Sequence, residues 1–387
     1  MVKRESPINS DRASSSMPPK KIRKVDDAAG SARDAAAVPQ SPQPAPDKAP
    51  LLTCDVCGDS SFPSRNKLFR HLKDCAVNLA SHKVNAALLN TQTDVTNVYY
   101  YVTGGRLRGR TLGSVERYSL HRKCWEVAPP MQENRGSHGA VGVGNTLYIL
   151  GGGGFRSNLA TCEKLEISGE KWTAIAPMTT YRHALAVVYV PEQKCIYCVG
   201  GWVNGSKCSP VLEQYDIDND KWTTCTPMEV PRRLLGATSF AGKLYVFGGN
   251  GDDHDDKHKK WYSDAVESYD PTTNAWTRKA PLPTAGPCSA VTVGAFIFVF
   301  LHGKSVLRYD PAADSYTTLA PLPLAEWFCF DANAFGHTVY VNGGITKGVW
   351  SKAFYLYDTL TNKWTELSSM QTARRRCAAA LVYAPSS

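Results

Sequence analysis

A short apolar strand that ends in a glycine pair, then Tyr-Asp and then a tryptophan, recurs about every 48 residues from Val98 onward. Six copies can be counted, with strand ends at Val102 to Gly105, Leu147 to Gly152, Ile196 to Gly201, Leu244 to Gly249, Ile297 to Gly303 and Val339 to Gly344. The aromatic residues that follow are Trp125, Trp172, Trp222, Trp276, Tyr316 and Trp364. A repeat of this length predicts an array in which each copy is one structural unit and neighbours bury a shared core.

Each copy predicts four short strands, because its apolar runs are separated by polar, Gly-rich or Pro-rich turns. The chain enters the repeats at a glycine-pair strand, NVYYYVTGG, and leaves them through RRRCAAALVY. The latter run is the part that each internal copy takes from the copy before it. The two ends therefore complete one unit together, and such closure removes two exposed sheet edges. We expect a cooperative ring.

These repeats resemble the kelch family throughout residues 96–387. The clearest signatures are Val115-Glu116-Arg117-Tyr118, Leu212-Glu213-Gln214-Tyr215-Asp216 and Val266-Glu267-Ser268-Tyr269-Asp270. The fifth copy matches least well, because Leu301-His302-Gly303 replaces its glycine pair, yet Tyr309-Asp310 keeps its register. The resemblance implies an all-β fold, a six-bladed kelch β-propeller with one copy in each blade.

Residues 1–50 form a predicted disordered tail, because they contain few large apolar side chains. A run of four cations lies within this tail beside two prolines, and it consists of Lys20, Lys21, Arg23 and Lys24. The run resembles a nuclear-localisation signal, which predicts a nuclear protein, or one shared between nucleus and cytoplasm. The alternative is a charge cluster that only keeps the tail soluble.

Residues 51–76 carry the strongest chemical pattern in the chain, the four potential zinc ligands Cys54, Cys57, His71 and Cys75. Two close sulfurs followed by a His/Cys pair on one helical turn can close a tetrahedron around zinc. Phe62 and Leu68 supply a small core, so the segment resembles a ββα zinc finger of the C2HC (C2H2-like) type. We expect one structural zinc ion here, followed by a linker over residues 77–95; the alternative is chance spacing of the cysteines.

The predicted helix of this finger carries side chains that can meet phosphates or base edges, namely Arg65, Asn66, Lys67, Arg70 and Lys73. A single finger buries little surface for a specific DNA site, so RNA, non-specific DNA or protein contact is favoured. The net charge of +9 permits any polyanionic partner.

In the repeats, an arginine follows the methionine of the Pro-Met turn by four residues at Arg135, Arg182 and Arg232, and Arg374 follows Met370 at the same distance. Gly286 and Glu326 replace it after copies four and five. The kelch resemblance implies that one mouth of the channel takes an acidic or phosphorylated protein segment. The implied contacts are Arg106, Arg135, Arg182, Arg233, Lys304 and Arg375, with Trp202 and Trp327 as aromatic anchors. The alternative is that this arginine is a fold residue bonded to turn carbonyls.

The sequence favours a non-enzymatic nuclear interaction scaffold with no membrane partner. One alternative is a metal-dependent propeller enzyme, for which the Asp/His-rich loop over residues 250–260 could supply iron, zinc or manganese ligands. A solvated charged loop explains the same residues. A second alternative is an accessory factor in nucleic-acid processing, which would bind through the finger.

Overall fold

The described part of the protein is built from short β-strands. A computed structural model describes residues 98–154, 157–203, 207–252, 262–303 and 305–383. The tail, the finger with its zinc ligands, the linker, Lys304 and most of the Asp/His-rich loop lie outside these residues. The described ranges contain a single 3-10 helix, Pro191–Gln193, and no helix long and apolar enough to cross a membrane.

The strands within the described ranges form six antiparallel sheets of four strands each, numbered here along the chain. From inner to outer strand, sheet 1 contains β31 (Ala378–Tyr383), β1 (Val98–Thr103), β4 (Val115–Ser119) and β5 (Cys124–Ala128), and sheet 2 contains β6 (Gly139–Val143), β7 (Thr146–Gly153), β8 (Asn158–Glu166) and β9 (Lys171–Ile175). Sheet 3 contains β11 (Ala186–Val190), β12 (Cys195–Val199), β15 (Leu212–Asp216) and β16 (Lys221–Cys225), and sheet 4 contains β17 (Gly236–Phe240), β18 (Lys243–Phe247), β19 (Val266–Asp270) and β20 (Ala275–Lys279). Sheet 5 contains β21 (Cys288–Val293), β22 (Phe296–Leu301), β23 (Val306–Asp310) and β24 (Ser315–Thr318), and sheet 6 contains β25 (Asp331–Phe335), β26 (Thr338–Asn342), β29 (Phe354–Asp358) and β30 (Lys363–Glu366).

Shorter strands lie in the connections between the long strands of these sheets. They are β2 (Arg106–Leu107), β3 (Arg110–Thr111), β10 (Arg182–His183), β13 (Trp202–Val203), β14 (Lys207–Cys208), β27 (Ile345–Thr346) and β28 (Val349–Trp350). They follow the glycine pairs or precede an inner strand, so they gather the loops that carry the predicted binding residues.

The inner strands of consecutive sheets contact one another, and the inner strand of sheet 6 contacts that of sheet 1. Sheet 1 joins the two ends of the described region: β31 pairs with β1 from Val98 opposite Tyr383 to Thr103 opposite Ala378. The prediction that the two ends complete one unit is confirmed. The result is an all-β, propeller-like fold.

In five of the six sheets, an aromatic residue of the outer strand donates a hydrogen bond to the backbone that precedes the sheet. The Trp172 indole donates to the Pro129 carbonyl at 2.9 Å, and the Trp222 indole donates to the Ala176 carbonyl at 2.8 Å. In sheet 5 the Tyr316 hydroxyl donates to the Ala280 carbonyl at 2.7 Å. Tyr316 therefore makes the same bond as the tryptophans, which explains why the fifth copy keeps its register.

The glycine pairs are required where the backbone passes close to the next loop. Gly104 has φ +52°, and a Cβ on it would lie 2.4 Å from the Arg135 carbonyl oxygen. Sheet 5 has His302 at the first position of its pair, without a positive φ. Its Nδ1 accepts a hydrogen bond from the Cys329 N–H at 3.4 Å, so the imidazole joins sheet 5 to sheet 6.

Candidate functional site

Four arginines, here called the buried arginines, lie in the loops that precede inner strands: Arg135, Arg182, Arg232 and Arg374. All are at most 1% exposed. Arg182 is representative, because its Nη1 donates to the Gly200 and Val211 carbonyls at 2.9 and 2.8 Å. Its Nη2 donates to a Glu213 carboxylate oxygen at 2.6 Å.

The other three buried arginines repeat this arrangement with a glutamate of the third strand. Arg135 pairs with Glu163 at 2.9 Å, Arg374 with Glu116 at 2.6 Å, and Arg232 with Glu267. Each guanidinium is therefore neutralised and bonded to carbonyls inside the fold. This corrects the placement of Arg135 and Arg182 at the mouth, and supports the alternative interpretation that they are fold residues.

Sheet 6 replaces the charged pair with an aromatic one. Trp327 is fully buried, and its indole donates to the Gly343 carbonyl at 2.7 Å, the position that Gly200 holds for Arg182. Its ring lies 5.6 Å from that of Tyr355, which occupies the position of the glutamate in sheets 1 to 4. Trp327 is thus the counterpart of the buried arginines, which corrects both the choice of Glu326 and the prediction of Trp327 as a ligand anchor.

A second group, here called the mouth arginines, consists of Arg106, Arg233, Arg375 and Arg376. They are partly buried. None of them has an ion pair with a carboxylate of the described residues, and the Nε of each is buried without a hydrogen-bond partner. Backbone bonds fix two of them, since the Arg106 N–H donates to Arg375 O at 2.9 Å and the Arg375 N–H donates to Arg106 O at 3.2 Å.

The pKa of His183 is affected by three of the mouth arginines. Burial and the positive charges of Arg376, Arg106 and Arg233 lower its pKa to about 4, so it is neutral at physiological pH. Its Nδ1 lies 2.6 Å from Asn158 Oδ1, while the Asn158 amide donates to the Trp202 carbonyl. Because Oδ1 can only accept, Nδ1 carries the hydrogen and Nε2 keeps its lone pair.

Two indoles hold mouth arginines in place. The Arg233 Cζ lies 3.8 Å from the ring centre of Trp202, and the Arg375 Cζ lies 5.6 Å from that of Trp350. Cation–π contact of this kind orients a guanidinium without neutralising its charge. Trp202 therefore lies at the predicted mouth, in contact with Arg233.

The mouth arginines lie at one end of a central cavity of about 390 Å³, and Arg376 lines that cavity. A ring of backbone hydrogen bonds surrounds this end, in which Ser137 N–H donates to Arg376 O at 2.8 Å and Ala184 N–H donates to Ser137 O at 2.7 Å. The scaffold under the mouth is therefore bonded from sheet to sheet, which limits rearrangement when a ligand binds.

Of the predicted contacts, Arg106, Trp202, Arg233 and Arg375 come together at this mouth. Sequence reasoning missed Arg376, His183 and Trp350. The run Arg374-Arg375-Arg376 carried a signal for one of them, because only its first member occupies the repeated position four residues after a methionine. No set of metal-ligating side chains was found within the described residues.

Repeats, sheet topology and ring contacts define the class of this protein, a β-propeller of kelch-type repeats. Residues 101–300, more than half of the chain, match the family model described as Attractin/LZTR1 beta-propeller. The chain belongs to that family, and residues 327–371 also match the Kelch motif.

Several curated proteins are similar to this chain. A RING finger domain and kelch repeat-containing protein of Dictyostelium discoideum is 30% identical over 185 residues, which cover 46% of this chain and 17% of that protein. Kelch-like protein 35 of Mus musculus is 26% identical over 193 residues, 50% of this chain and 31% of that protein. Kelch-like protein 25 of Xenopus tropicalis is 27% identical over 283 residues, which cover 68% of this chain and 46% of that protein. The chain spans less than half the length of each of these relatives.

Proposed function

We propose that this protein is a non-enzymatic interaction scaffold. Its six sheets are the blades of a closed six-bladed propeller, and the mouth of that propeller holds an acidic or phosphorylated segment of a partner protein. The observation that carries the proposal is the set of mouth arginines without carboxylate partners among the described residues.

A comparison inside the molecule supports an acidic ligand. Each buried arginine forms an ion pair with a glutamate, so this fold supplies carboxylates where a guanidinium is needed for structure. At the mouth, the same type of side chain is only stacked on an indole or set beside another arginine. Like charges held together are unfavourable, and a bound carboxylate or phosphate would relieve that repulsion through charge-assisted hydrogen bonds.

The chemistry of the mouth suits binding better than bond cleavage. Guanidinium and indole groups recognise anions and apolar surface, and both are enriched in energetically important positions of protein interfaces. The comparisons agree with this proposal, since one similar protein is named for a RING finger domain together with kelch repeats and others are named Kelch-like.

The segment before the propeller extends the proposal on sequence grounds alone. We assign one structural zinc ion to Cys54, Cys57, His71 and Cys75, and a nuclear location to the basic run from Lys20 to Lys24. The finger would add a contact to RNA, DNA or protein. Zinc analysis of the full chain and of Cys57→Ala tests the first assignment, with loss of about one equivalent of zinc expected in the variant.

The mouth is tested by capture from nuclear extract with the full chain, with and without nuclease. The informative variant is Arg106→Gln/Arg233→Gln/Arg375→Gln. Arg278→Gln is the control, because the Arg278 side chain is 71% exposed on an outer strand. Partners that resist nuclease, bind wild type and control, and are lost from the triple variant support the proposal.

Direct binding of those partners then completes the test. Purified partner segments should bind more weakly as salt is raised, since charge-assisted contacts are screened. Retention of every partner by the triple variant would exclude the mouth as the binding site.

A further inference from the structure

Two glycines form the floor of the mouth at sheet 2. Gly136 and Gly153 pair across an isolated bridge, and their N–H groups donate to each other's carbonyls at 3.0 and 2.8 Å. Neither has a positive φ, in contrast to Gly151 and Gly152. Backbone conformation therefore does not require glycine at these two positions.

Close packing against the Arg106 side chain does require glycine at both positions. A Cβ on Gly136 would lie 3.0 Å from Arg106 Cγ, and one on Gly153 would lie 3.2 Å from Arg106 Nη2. The Arg106 side chain thus lies across the bare bridge, with its guanidinium over Gly153. The same Gly153 position lies 3.9 Å from the His183 Cβ, so His183 borders the floor on the other side.

The corresponding bridges of the other described sheets carry side chains. Sheet 1 has Arg106 opposite Arg375, sheet 3 has Trp202 opposite His183, and sheet 4 has Asn250 opposite Arg233. Sheet 6 has Ile345 opposite Phe328. The two glycines therefore form a notch in the rim between sheet 1 and sheet 3, in which the Arg106 side chain lies. We call it the glycine notch.

Three positive charges act on this notch. Arg106, Arg233 and Arg376 all interact electrostatically with His183, and Arg106 is also influenced by the charges of Arg376 and Arg375. A single carboxylate neutralises one guanidinium and leaves the others uncompensated. A phosphoryl group carries about −1.5 to −2 charges and three strong acceptor oxygens.

We propose that the glycine notch is a phosphoryl-binding site, which receives a phosphorylated side chain of the partner segment between Arg106, Arg376 and Arg233. The inference rests on the proposed function and narrows its ligand class. Glycine at positions 136 and 153 lets the Arg106 side chain lie directly on the bridge, which holds its guanidinium at Gly153 to meet the phosphoryl oxygens. Trp202 keeps the Arg233 guanidinium oriented before the ligand arrives, which lowers the entropy lost on binding.

Protonation of His183 distinguishes a bound phosphoryl group from a bound carboxylate, which would favour that protonation less. In the free protein, its lone pair at Nε2 faces an environment dominated by Arg106, Arg233 and Arg376. A bound dianion offsets those charges and favours the imidazolium, which would then donate from Nε2. Phosphopeptide binding is therefore coupled to proton uptake by His183.

Binding is measured with the full chain and three degenerate short peptide pools that differ only in a fixed central residue, phosphoserine, glutamate or serine. We expect the phosphoserine pool to bind roughly tenfold more tightly than the glutamate pool. Equal binding of these two pools overturns the phosphoryl site but leaves the proposed acidic-segment function intact. If neither pool binds better than serine, the proposed function fails as well.

Two variants locate the site. Gly153→Val displaces the Arg106 guanidinium from the notch without changing the net charge. Its control is Gly169→Val, where an added Cβ meets only the Glu166 carbonyl at 3.9 Å. We expect Gly153→Val to abolish the preference for phosphoserine over glutamate and the control to keep it. Unchanged thermal unfolding shows that each variant is folded, and a preference that survives in folded Gly153→Val overturns the location.

Calorimetry in buffers of different ionisation enthalpy measures the proton taken up. We expect uptake on phosphoserine-pool binding to wild type, and less uptake in His183→Gln. Identical uptake in both proteins would show that His183 is not beside the phosphoryl group.

Discussion

Buried arginines and mouth arginines are adjacent in sequence at two places, yet they differ in burial and in the partner of the guanidinium. Arg232 is fully buried and paired with Glu267, while Arg233 is partly buried and stacked on Trp202. Arg374 pairs with Glu116, while Arg375 and Arg376 lack a carboxylate partner among the described residues. A guanidinium that meets a carboxylate of its own fold stabilises structure, and one that does not is available to a ligand.

Strand geometry separates such neighbours. Successive side chains of an extended chain point to opposite sides, so Arg182 turns into the fold and His183 turns to the mouth within the two-residue β10. The same alternation places Arg232 inside and Arg233 outside. One short segment thus contributes to both stability and binding.

The largest effect is expected from a chain that ends at Arg376. It retains both groups of arginines but lacks β31, so β1 loses its six-residue pairing and the ring opens. We expect the cooperative thermal transition, followed by near-UV circular dichroism, to disappear. A chain ending at Tyr383 keeps β31 and is the control. A cooperative transition in the shorter chain would mean that both groups of arginines sit on a scaffold that needs no closure.

A smaller effect is expected when one buried arginine is removed. Arg182→Met leaves Glu213 buried without its cation, and we expect a loss of about 3–5 kcal/mol in the free energy of unfolding, measured with denaturant. Adding Glu213→Leu should restore most of it, because the unpaired charge is then gone.

The exposed pair of Arg278 and Glu229 provides the contrast, since Arg278→Met should cost less than about 1 kcal/mol. Equal losses at Arg182 and Arg278 would remove the distinction between buried and exposed arginines.

Asp331 lines the central cavity and, in contrast to the buried glutamates, has no ion pair among the described residues. Its carboxylate accepts hydrogen bonds from the Ala332 and Ala379 N–H groups at 2.9 and 2.7 Å. Burial raises its pKa to about 6. In the unfolded chain the pKa is about 3.9, so the folded state binds more protons between these values. This group therefore contributes stability that is fully present below about pH 4 and is lost as pH rises to about 6.

Denaturant unfolding of wild type and Asp331→Asn across this range isolates the contribution. Wild type should lose about 1–3 kcal/mol relative to the variant as pH rises from about 4 to 6, and the difference should then stay constant. A constant difference throughout would show that Asp331 keeps an ordinary pKa.

The smallest effect on stability is expected at the mouth. Arg106→Gln removes a charge whose own pKa is lowered by burial and by Arg376 and Arg375. Because that arginine has no described carboxylate partner, the free energy of unfolding should change by less than about 0.5 kcal/mol, while binding of an acidic partner weakens. The measurement is the same denaturant series used for Arg182→Met. A loss above about 2 kcal/mol would place Arg106 among the structural arginines.

Much of the fold could be predicted from sequence because repetition reports it directly. The six copies, the closing strand and the equivalence of Tyr316 with the tryptophans all follow from spacing. The candidate site was predicted in part. Arg106, Arg233, Arg375 and Trp202 lie near one another, and their role in binding stays a prediction, whereas Arg135, Arg182 and Trp327 turn inward.

The sequence by itself determined the repeat, its strand pattern and the joining of its two ends, because the hydrophobic period and the turn residues act over a few neighbouring positions. Only the tertiary structure decided which arginines meet a glutamate, that Trp327 replaces one of them, and that Gly136 and Gly153 form a notch in which the Arg106 side chain lies. These outcomes depend on contacts between loops far apart in sequence, and the burial and the partner of a charged side chain are set by that surrounding structure.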